Sequence, residues 1–400
     1  MQSKTIINLL CNETIAKFIR QHINDDVKKL ALDSKKYADI DFKVVLTLIS
    51  LYQKAKLKLP EHYKMMAAFN AKSYEQSTSE AVANYKASIM MLANKRVINL
   101  SGGIGIDDWA MSKYASRIDS CEIDEDIHEM ASYNISLYNT KNIQRHLADG
   151  IEFIKNQDKC DIIYIDPDRR PDASRVFRLE DSQPNVLNNI EMLLEKADQV
   201  WIKISPMADI TYLEKSIPSI QKLYVIAWLG EVKEILICCS KNEMVASQII
   251  AVNIGSNKIT VFENKEKSGP VNFGNKGKYL YEPNRSIIKA GLGSKYAVYT
   301  QLAMISQNSY FFIADILKPD FDGRTFEIIE RLLYKPKTIK IYLDKIGIKQ
   351  ANITTRNFRE TPEELRSRFK LRDGGNTTLC FTIDNEGQSW LFHCSQILNS

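Results

Sequence analysis

Apolar positions change their spacing several times along this chain. Up to residue 72 they recur at i, i+3 and i+4, which predicts helices over 14–23, 27–32, 42–57 and 61–69, with Pro60 ending one of them. From residue 96 the pattern becomes short apolar runs closed by glycine, proline or acid. Val97, Ile98 and Leu100 make the first; others end at Glu122, at Ala148-Asp149-Gly150, at Ile165, and at Ser205-Pro206. Helical stretches such as 126–138 and 185–196 lie between them. Strands of about five residues alternating with amphipathic helices predict a parallel sheet wound on both faces. The runs 223–228 and 234–239 predict a closing hairpin, and 258–262 a further strand. The polar, glycine-bearing segment 264–278 is the best domain boundary. Beyond it 337–342, 350–354, 377–383 and 390–394 are candidate strands of two small α+β pieces, 279–320 and 321–400.

Chemistry enters at the strand ends, where doubly wound sheets bind ligands. The first run opens into RVINLSGGIGID, in which Gly102, Gly103 and Gly105 let backbone approach a ligand closely. About twenty residues on, Glu122 ends the second run in SCEID, where a carboxylate can accept from ribose hydroxyls. A dinucleotide loop needs a third glycine and tolerates pyrophosphate; here Ile106, Asp107 and Asp108 follow Gly105, and two carboxylates repel phosphate. A phosphate-cradling G-x-x-x-x-G-K-[ST] loop is absent as well. An adenosyl ligand carrying a positive sulfonium fits these acids, so S-adenosylmethionine is the expected cofactor. Leu100, Ser101, Gly102, Gly103, Gly105, Asp107, Glu122 and Ile123 are its candidate contacts. They are joined by Asp149, as acceptor from the adenine amino group, and by Gly150.

The fourth run opens into Asp166-Pro167-Asp168-Arg169-Arg170. A carboxylate at that strand end can accept from an amine N–H and later take its proton. Pro167 stiffens the loop and leaves its carbonyl without an N–H beside it. Asp168 is a second possible acceptor, and Arg169 can stack on a base or grip a phosphate. Asp166, Pro167, Asp168 and Arg169 are therefore the candidate catalytic set. Pyrimidine C5 methylation needs a cysteine at the end of strand four or five, and neither end has one. Lys203 and Lys233 are candidates for phosphate contact, with plain surface charge as the alternative.

Through these residues, roughly residues 73–240 resemble a class I S-adenosylmethionine-dependent methyltransferase. More closely, the chain resembles bacterial methyltransferases that carry a THUMP-like C-terminal domain, distantly similar to trimethylguanosine synthase. The resemblance rests on EQSTSEAVANYKA, NLSGGIGID, DPDRRP, LGEVKEILI and TTRNFRETPEELRSRFKL. It implies a Rossmann-like α/β methyltransferase domain over 73–263, after a helical N-terminal domain over 1–72. It also implies a small ferredoxin-like α+β domain over 279–320 and a basic THUMP-like domain over 321–400. It further implies that Ser77, Thr78 and Glu80 lead into the cofactor site at the methionine end; locally, Ser77 and Glu80 also have the spacing of a capping box. The implied target is a purine nitrogen in ribosomal or transfer RNA. Alternatives are a small-molecule or protein acceptor, or a non-catalytic RNA-binding protein with a vestigial methyltransferase fold. Two positions depart from the pattern: Asn99 stands where such enzymes often carry an acid, and Arg169 where amino-methylating ones usually have an aromatic.

Charge supports a nucleic-acid partner. The 400-residue chain carries a net charge of +5, but residues 331–375 hold twelve Lys/Arg against five Asp/Glu. A basic end on a near-neutral enzyme suits phosphate. Arg356, Arg359, Arg366, Arg368 and Arg372 are the candidate RNA contacts, whereas Phe358 and Phe369 read as core. The seven cysteines include no C-x-x-C pair, so buried thiols are expected rather than a metal site. The first residues read as a helix, no run of 18 apolar residues occurs, and a cytoplasmic protein without membrane contact is expected.

Overall fold

A computed structural model describes residues 3–32, 40–138, 140–169, 179–241, 247–265 and 269–397, with Asp168, Arg169 and Asp181 described in backbone only. The chain forms two compact units: residues 1–223 with 234–247, and residues 224–233 with 248–400. The division therefore falls inside a hairpin, upstream of the polar segment 264–278.

The first unit opens with helices α1 (Ser3–Cys11), α2 (Glu13–His22), α3 (Val27–Leu32), α4 (Phe42–Lys58), α5 (Pro60–Lys64), α6 (Ala71–Gln76) and α7 (Glu80–Ile89). In α4, Val45, Leu48, Ile49 and Tyr52 share one stripe and are fully buried. The expected helix 61–69 stops at Lys64, because Met66 turns left-handed at φ 59°. Residues 67–69 then run buried, and the Tyr52 hydroxyl donates to the Ala67 carbonyl at 2.9 Å.

Strands β1 (Arg96–Asn99), β2 (Arg117–Glu122), β3 (Ile143–Leu147), β4 (Cys160–Ile165), β5 (Ala197–Ile204), β6 (Ile220–Trp228) and β7 (Glu231–Cys239) follow. They lie in the order β6-β7-β5-β4-β1-β2-β3. Pairs β1–β2, β2–β3, β1–β4 and β4–β5 are parallel, and β7 runs antiparallel to β5. Connecting helices are α8 (Ile106–Ser112), α9 (Glu125–Leu137), α10 (Gly150–Lys155), α11 (Val186–Lys196) and α12 (Ile210–Ser216). Val97, Ile98, Ile163, Ile165, Val200 and Ile202 have no exposed surface, as strands covered on both faces require. Strand order reverses between β1 and β4, which puts a ligand crevice at their carboxyl ends.

The second unit holds β8 (Gln248–Ile254) antiparallel to β9 (Ile259–Glu263), and a seven-stranded sheet. That sheet is built from β10 (Tyr279–Pro283), β11 (Ala303–Met304), β12 (Phe312–Ala314), β13 (Gly323–Leu333), β14 (Asn352–Arg356), β15 (Thr377–Ile383) and β16 (Ser389–Ile397). Its order is β11-β12-β10-β13-β16-β15-β14. Short helices α13 (Arg285–Lys289) and α14 (Gly293–Thr300) follow β10. The segments 279–320 and 321–400 thus share one sheet, through the antiparallel β10–β13 pair. The expected strand 337–342 is instead a helix, α15 (Pro336–Lys345). Pro336 sits in its first turn, and Ile339 and Leu343, one helical turn apart, are the buried pair. Helix α16 (Pro362–Phe369) starts with a true capping box between Thr361 and Glu364.

Candidate functional site

A cavity of about 500 Å3 opens at the carboxyl ends of β1, β2, β3 and β4. Leu100, Ser101, Gly102, Gly103, Gly105 and Asp107 line it from the first loop, Glu122 and Ile123 from the second, and Asp149 and Gly150 from the third. Ser77 and Thr78 line it from the segment before α7, and Asp166 from the end of β4. The structure thus brings every candidate cofactor contact to one wall or another of this cavity, except Glu80.

Local chemistry explains the shape. Gly105 caps α8 in the left-handed region at φ 89°, where a side chain would be strained. A Cβ on Gly150 would stand 2.2 Å from the Leu100 carbonyl oxygen, so the β1 and β3 loops touch only because that residue is glycine. Glu122 takes the Gly103 N–H at 2.9 Å on one oxygen, and the N–H groups of Ile123 and Asp124 at 2.9 and 3.0 Å on the other. Its carboxylate therefore ties the glycine loop to the end of β2 and presents its remaining lone pairs to the cavity. Asp149 uses Oδ1 to cap α10, accepting from Ile151 N–H at 2.8 Å and Glu152 N–H at 3.1 Å. Ile123, 66% exposed, offers an apolar wall in the same cavity.

The two acids after the glycines have different roles. Asp107 reaches the cavity, whereas Asp108 is fully buried and bonded to Asn99 Nδ2 (2.6 Å), Ser120 Oγ (2.6 Å) and Arg145 Nη1 (3.0 Å). Burial pushes the Asp108 carboxyl above its ordinary range, against the pull of Arg145. Asn99 thus supplies an amide where an acid would crowd Asp108, and its Oδ1 accepts the Ser101 N–H at 3.1 Å. Arg145 also donates to the Gly103 carbonyl at 2.9 Å, which fixes the loop from below. Nothing in the spacing of Arg145 marks it for that task.

Glu80 departs from its expected place. It is 3% exposed, accepts from the backbone N–H of Glu61 (3.0 Å) and His62 (2.9 Å), and bonds His62 Nδ1 at 2.6 Å. Burial works to raise its pKa, but these His62 and Glu61 hydrogen bonds outweigh it and hold the carboxyl below its ordinary range. His62 passes the contact on to the Tyr138 hydroxyl at 2.7 Å. Glu80 is a packing and capping residue for α5. The cap of α7 is Ser79, accepting from Val82 N–H, while Ser77 closes α6.

At the acceptor side, Asp166 donates its N–H to Ser101 Oγ at 2.6 Å, and its carboxylate is ion-paired with Lys203. Lys203 therefore has an internal partner and does not belong to a phosphate-facing surface. Lys233 pairs with Glu231 at 2.5 Å. Pro167 follows at half-buried depth, and the backbone of Asp168–Arg169 pairs antiparallel with Ser182–Gln183. The Asp168 and Arg169 side chains, and Arg170 entirely, lie outside the described residues. Burial pushes the Cys121, Cys238 and Cys239 thiols up to about 12, so they are poor nucleophiles. Among the described residues no group of three or more His, Cys, Asp or Glu is arranged to hold a metal, and no helix is long and apolar enough to cross a membrane.

The overall fold is shared with a known structure. Across its full length the chain superposes on the whole of a crystal structure of a candidate methyltransferase from Porphyromonas gingivalis W83, at 28% identity and a TM-score of 0.81. The fold is that of a class I S-adenosylmethionine-dependent methyltransferase. Uncharacterized S-adenosylmethionine-dependent methyltransferases from two strains of Mycobacterium tuberculosis are 24% identical over 330 residues, which is 81% of this chain and 86% of theirs. Residues 279–321 match a ferredoxin-like domain and residues 323–396 a THUMP domain-like family.

The C-terminal arginines have partners of their own. Arg356 bonds Glu282 through Nε at 2.8 Å, and Arg324 bonds the same carboxylate, which is 3% exposed. That makes Arg356 an internal ion pair, because leaving a buried carboxylate unpaired is costly. Arg366 pairs with Asp373 and Arg368 with Glu360, both at 2.7 Å, and Arg359 lies 3.6 Å from Glu360 and over the Tyr334 ring. These last pairs are solvent-accessible and weak, so phosphate can compete for them. Arg372 is exposed, together with Lys335, Lys337, Lys345, Lys349 and Lys370.

Proposed function

We propose that this chain transfers a methyl group from S-adenosylmethionine to a purine nitrogen of ribosomal or transfer RNA. The observation that carries the reading is the place of Asp166. It ends β4 on the rim of the cavity that the glycine loop and Glu122 enclose, held to the first loop through Ser101. Bound S-adenosylmethionine supplies a methyl group already activated on a sulfonium. The residues present fit it: Glu122 for the ribose, Ile123 for the adenine face, Asp149 for the adenine edge, and Ser77, Thr78 and Asp107 toward the methionine end. Asp107, Glu122 and Asp149 make the lining acidic, which suits a cationic ligand without phosphate.

For the acceptor, Asp166 accepts an N–H of the amine and thereby aims the nitrogen lone pair across the cavity. Its carboxylate has lone pairs on both oxygens, and the Lys203 bond takes only one of them. When the nitrogen becomes methylated it carries one proton too many, and this carboxylate is the group placed to take it. Pro167 keeps the turn short, and in this reading Asp168 is a second acceptor and Arg169 the group for a base or a phosphate.

RNA docking falls to the exposed cations of the second unit. Lys349 and Arg372 are adjacent, since the Arg372 N–H donates to the Lys349 carbonyl at 2.9 Å, and Lys370 ends α16 two residues earlier. Affinity for transfer RNA should fall with salt, the logarithm of the binding constant dropping by about 0.7–0.9 per phosphate contact for each tenfold rise. A K349Q/K370Q/R372Q variant should lower that slope by about 2–3. Fluorescence anisotropy across a salt series reads it; a slope near zero in the wild type, or one unchanged in the variant, contradicts this docking surface. The reading as a whole is tested by nucleoside mass spectrometry of total RNA from strains with and without the gene. A methylated purine missing from the second is the expected result, and identical nucleoside profiles are the contrary one.

A further inference from the structure

The charged residues of separate sequence motifs meet at one place inside the first unit. Lys86 comes from ANYKA, Asp107 from GGIGID, Asp166 from DPDRR, Lys203 from WIKIS and Glu234 from GEVKE. Lys86 Nζ lies 3.0 Å from Asp107 Oδ1, 3.0 Å from Glu234 Oε1 and 2.9 Å from the Tyr164 hydroxyl. Tyr164 in turn donates to Asp107 Oδ2 at 3.1 Å. Lys203 stands beside Asp166 because β4 and β5 are in register, Ile165 opposite Ile202. Its partner across the antiparallel pair is Leu236, which puts Glu234 two residues away on the same face. Burial works to lower the Lys203 pKa, but Asp166, Glu234 and Asp107 together raise it above the ordinary lysine range.

Two ammonium groups and three carboxylates in one interior are an unusual way to fill space. Lys86 and Glu234 are 1% and 2% exposed, and well-packed apolar residues would serve stability as well as such ion pairs do. The reason for the network is to be sought where it reaches the cavity, at Asp107 and Asp166. Asp166 is held at two points, its N–H by Ser101 and its carboxylate by Lys203. Free rotation of the side chain is thereby removed. The carboxylates of Glu234 and Asp107 act on Lys203 through charge alone, and Lys86 holds those two carboxylates together.

The geometry points to Lys203 as a positioning residue for methyl transfer, setting the Asp166 carboxylate for the acceptor amine, with Lys86, Asp107 and Glu234 as its anchorage. This rests on the reading that an amine acceptor meets Asp166. Lys203 makes its contribution through Asp166, which lines the cavity.

The test compares wild type with K203M, K203R and K159M, an exposed lysine paired with Asp198 at 2.6 Å, as control. Labelled S-adenosylmethionine is the donor and total RNA from a strain lacking the gene the acceptor. K203M should lose about a hundredfold in kcat, the scale of a misplaced reacting group. Its KM for the donor and calorimetric Kd should stay within about threefold of wild type. K203R, which keeps the cation, should recover most of the rate, and K159M should match wild type. A K203M enzyme with full kcat overturns the proposal, as does equal loss in K203M and K203R with both melting early, which is a packing defect. A crystal structure of K203M decides the matter independently of any acceptor. The Asp166 carboxylate should leave its wild-type position; an unmoved carboxylate overturns the proposal. A wild type that binds the donor but labels no RNA instead overturns the RNA reading, and the crystal structure still judges Lys203.

Discussion

Replacing Asp166 with asparagine should cost about 10²–10⁴ in the rate of methyl transfer, the range lost with a positioned proton acceptor. Asparagine keeps the size and an acceptor oxygen but can no longer take the amine proton. Lys203 remains near Asp107 and Glu234 in this variant, so the interior keeps a compensated ammonium. The Asp166 N–H bond to Ser101 is a backbone bond and survives. Cofactor affinity should therefore stay within about threefold of wild type, which separates acceptor chemistry from donor binding. Single-turnover transfer of label to RNA from the deletion strain measures the first, and calorimetry the second. Full turnover in D166N would remove Asp166 from the chemistry.

Lys86 carries the second large effect, on stability. Its ammonium is the shared partner of Asp107 and Glu234, and K86M leaves the buried Glu234 carboxylate facing the mostly buried Asp107 carboxylate without it. Removing one partner of a buried ion pair costs about 3–5 kcal/mol, and urea unfolding of the first unit should show a loss of that size. The loss has a pH signature. Burial works to raise the Asp107 pKa, but Lys86, Lys203 and the hydrogen bonds of Lys86 and Tyr164 bring it below its ordinary value. A carboxyl depressed in the folded state stabilises above the unfolded value near ~3.9, and that stabilisation fades as pH falls through the folded value. Without Lys86 both carboxyls favour their neutral forms. The deficit of K86M should therefore be greatest near neutrality and shrink as pH drops through the carboxylate range. K86M/E234Q, with one buried charge fewer, should recover part of it. A K86M protein within about 1 kcal/mol of wild type at neutral pH contradicts the network.

What could be read from the chain before its fold was known is what depends on neighbours in sequence. The glycine loop, Glu122, Asp149-Gly150 and Asp166 each end a short apolar strand, and a parallel sheet must bring such ends to one edge. Their convergence on one cavity follows from topology. Residues whose role depends on a distant partner are not legible in this way. Glu80 has the local look of a capping acid, yet its partners are Glu61 and His62 on another helix. Lys203 looks like surface charge until β4 and β5 are aligned. Lys86 and Arg145 gave no signal at all, because a single cation in a helix or strand says nothing of the carboxylate it will meet. The arginine-rich end was legible as basic, but pairing with Glu282, Glu360 and Asp373 depends on the tertiary fold. In 337–342 Ile339 and Ile341 alternate as in a strand; Pro336 and the Ile339–Leu343 spacing favour the helix that forms.

In the proposed function, the cavity under the glycine loop holds S-adenosylmethionine through Glu122. Isothermal titration of the full chain with S-adenosylmethionine tests it most directly, with Glu122→Ala beside the wild type. Wild type should bind with a micromolar Kd, about −8 kcal/mol. The variant should lose about 1.5–3 kcal/mol, the contribution of hydrogen bonds to a charged acceptor. Absence of binding by the wild type, or equal affinity in the two proteins, contradicts the account.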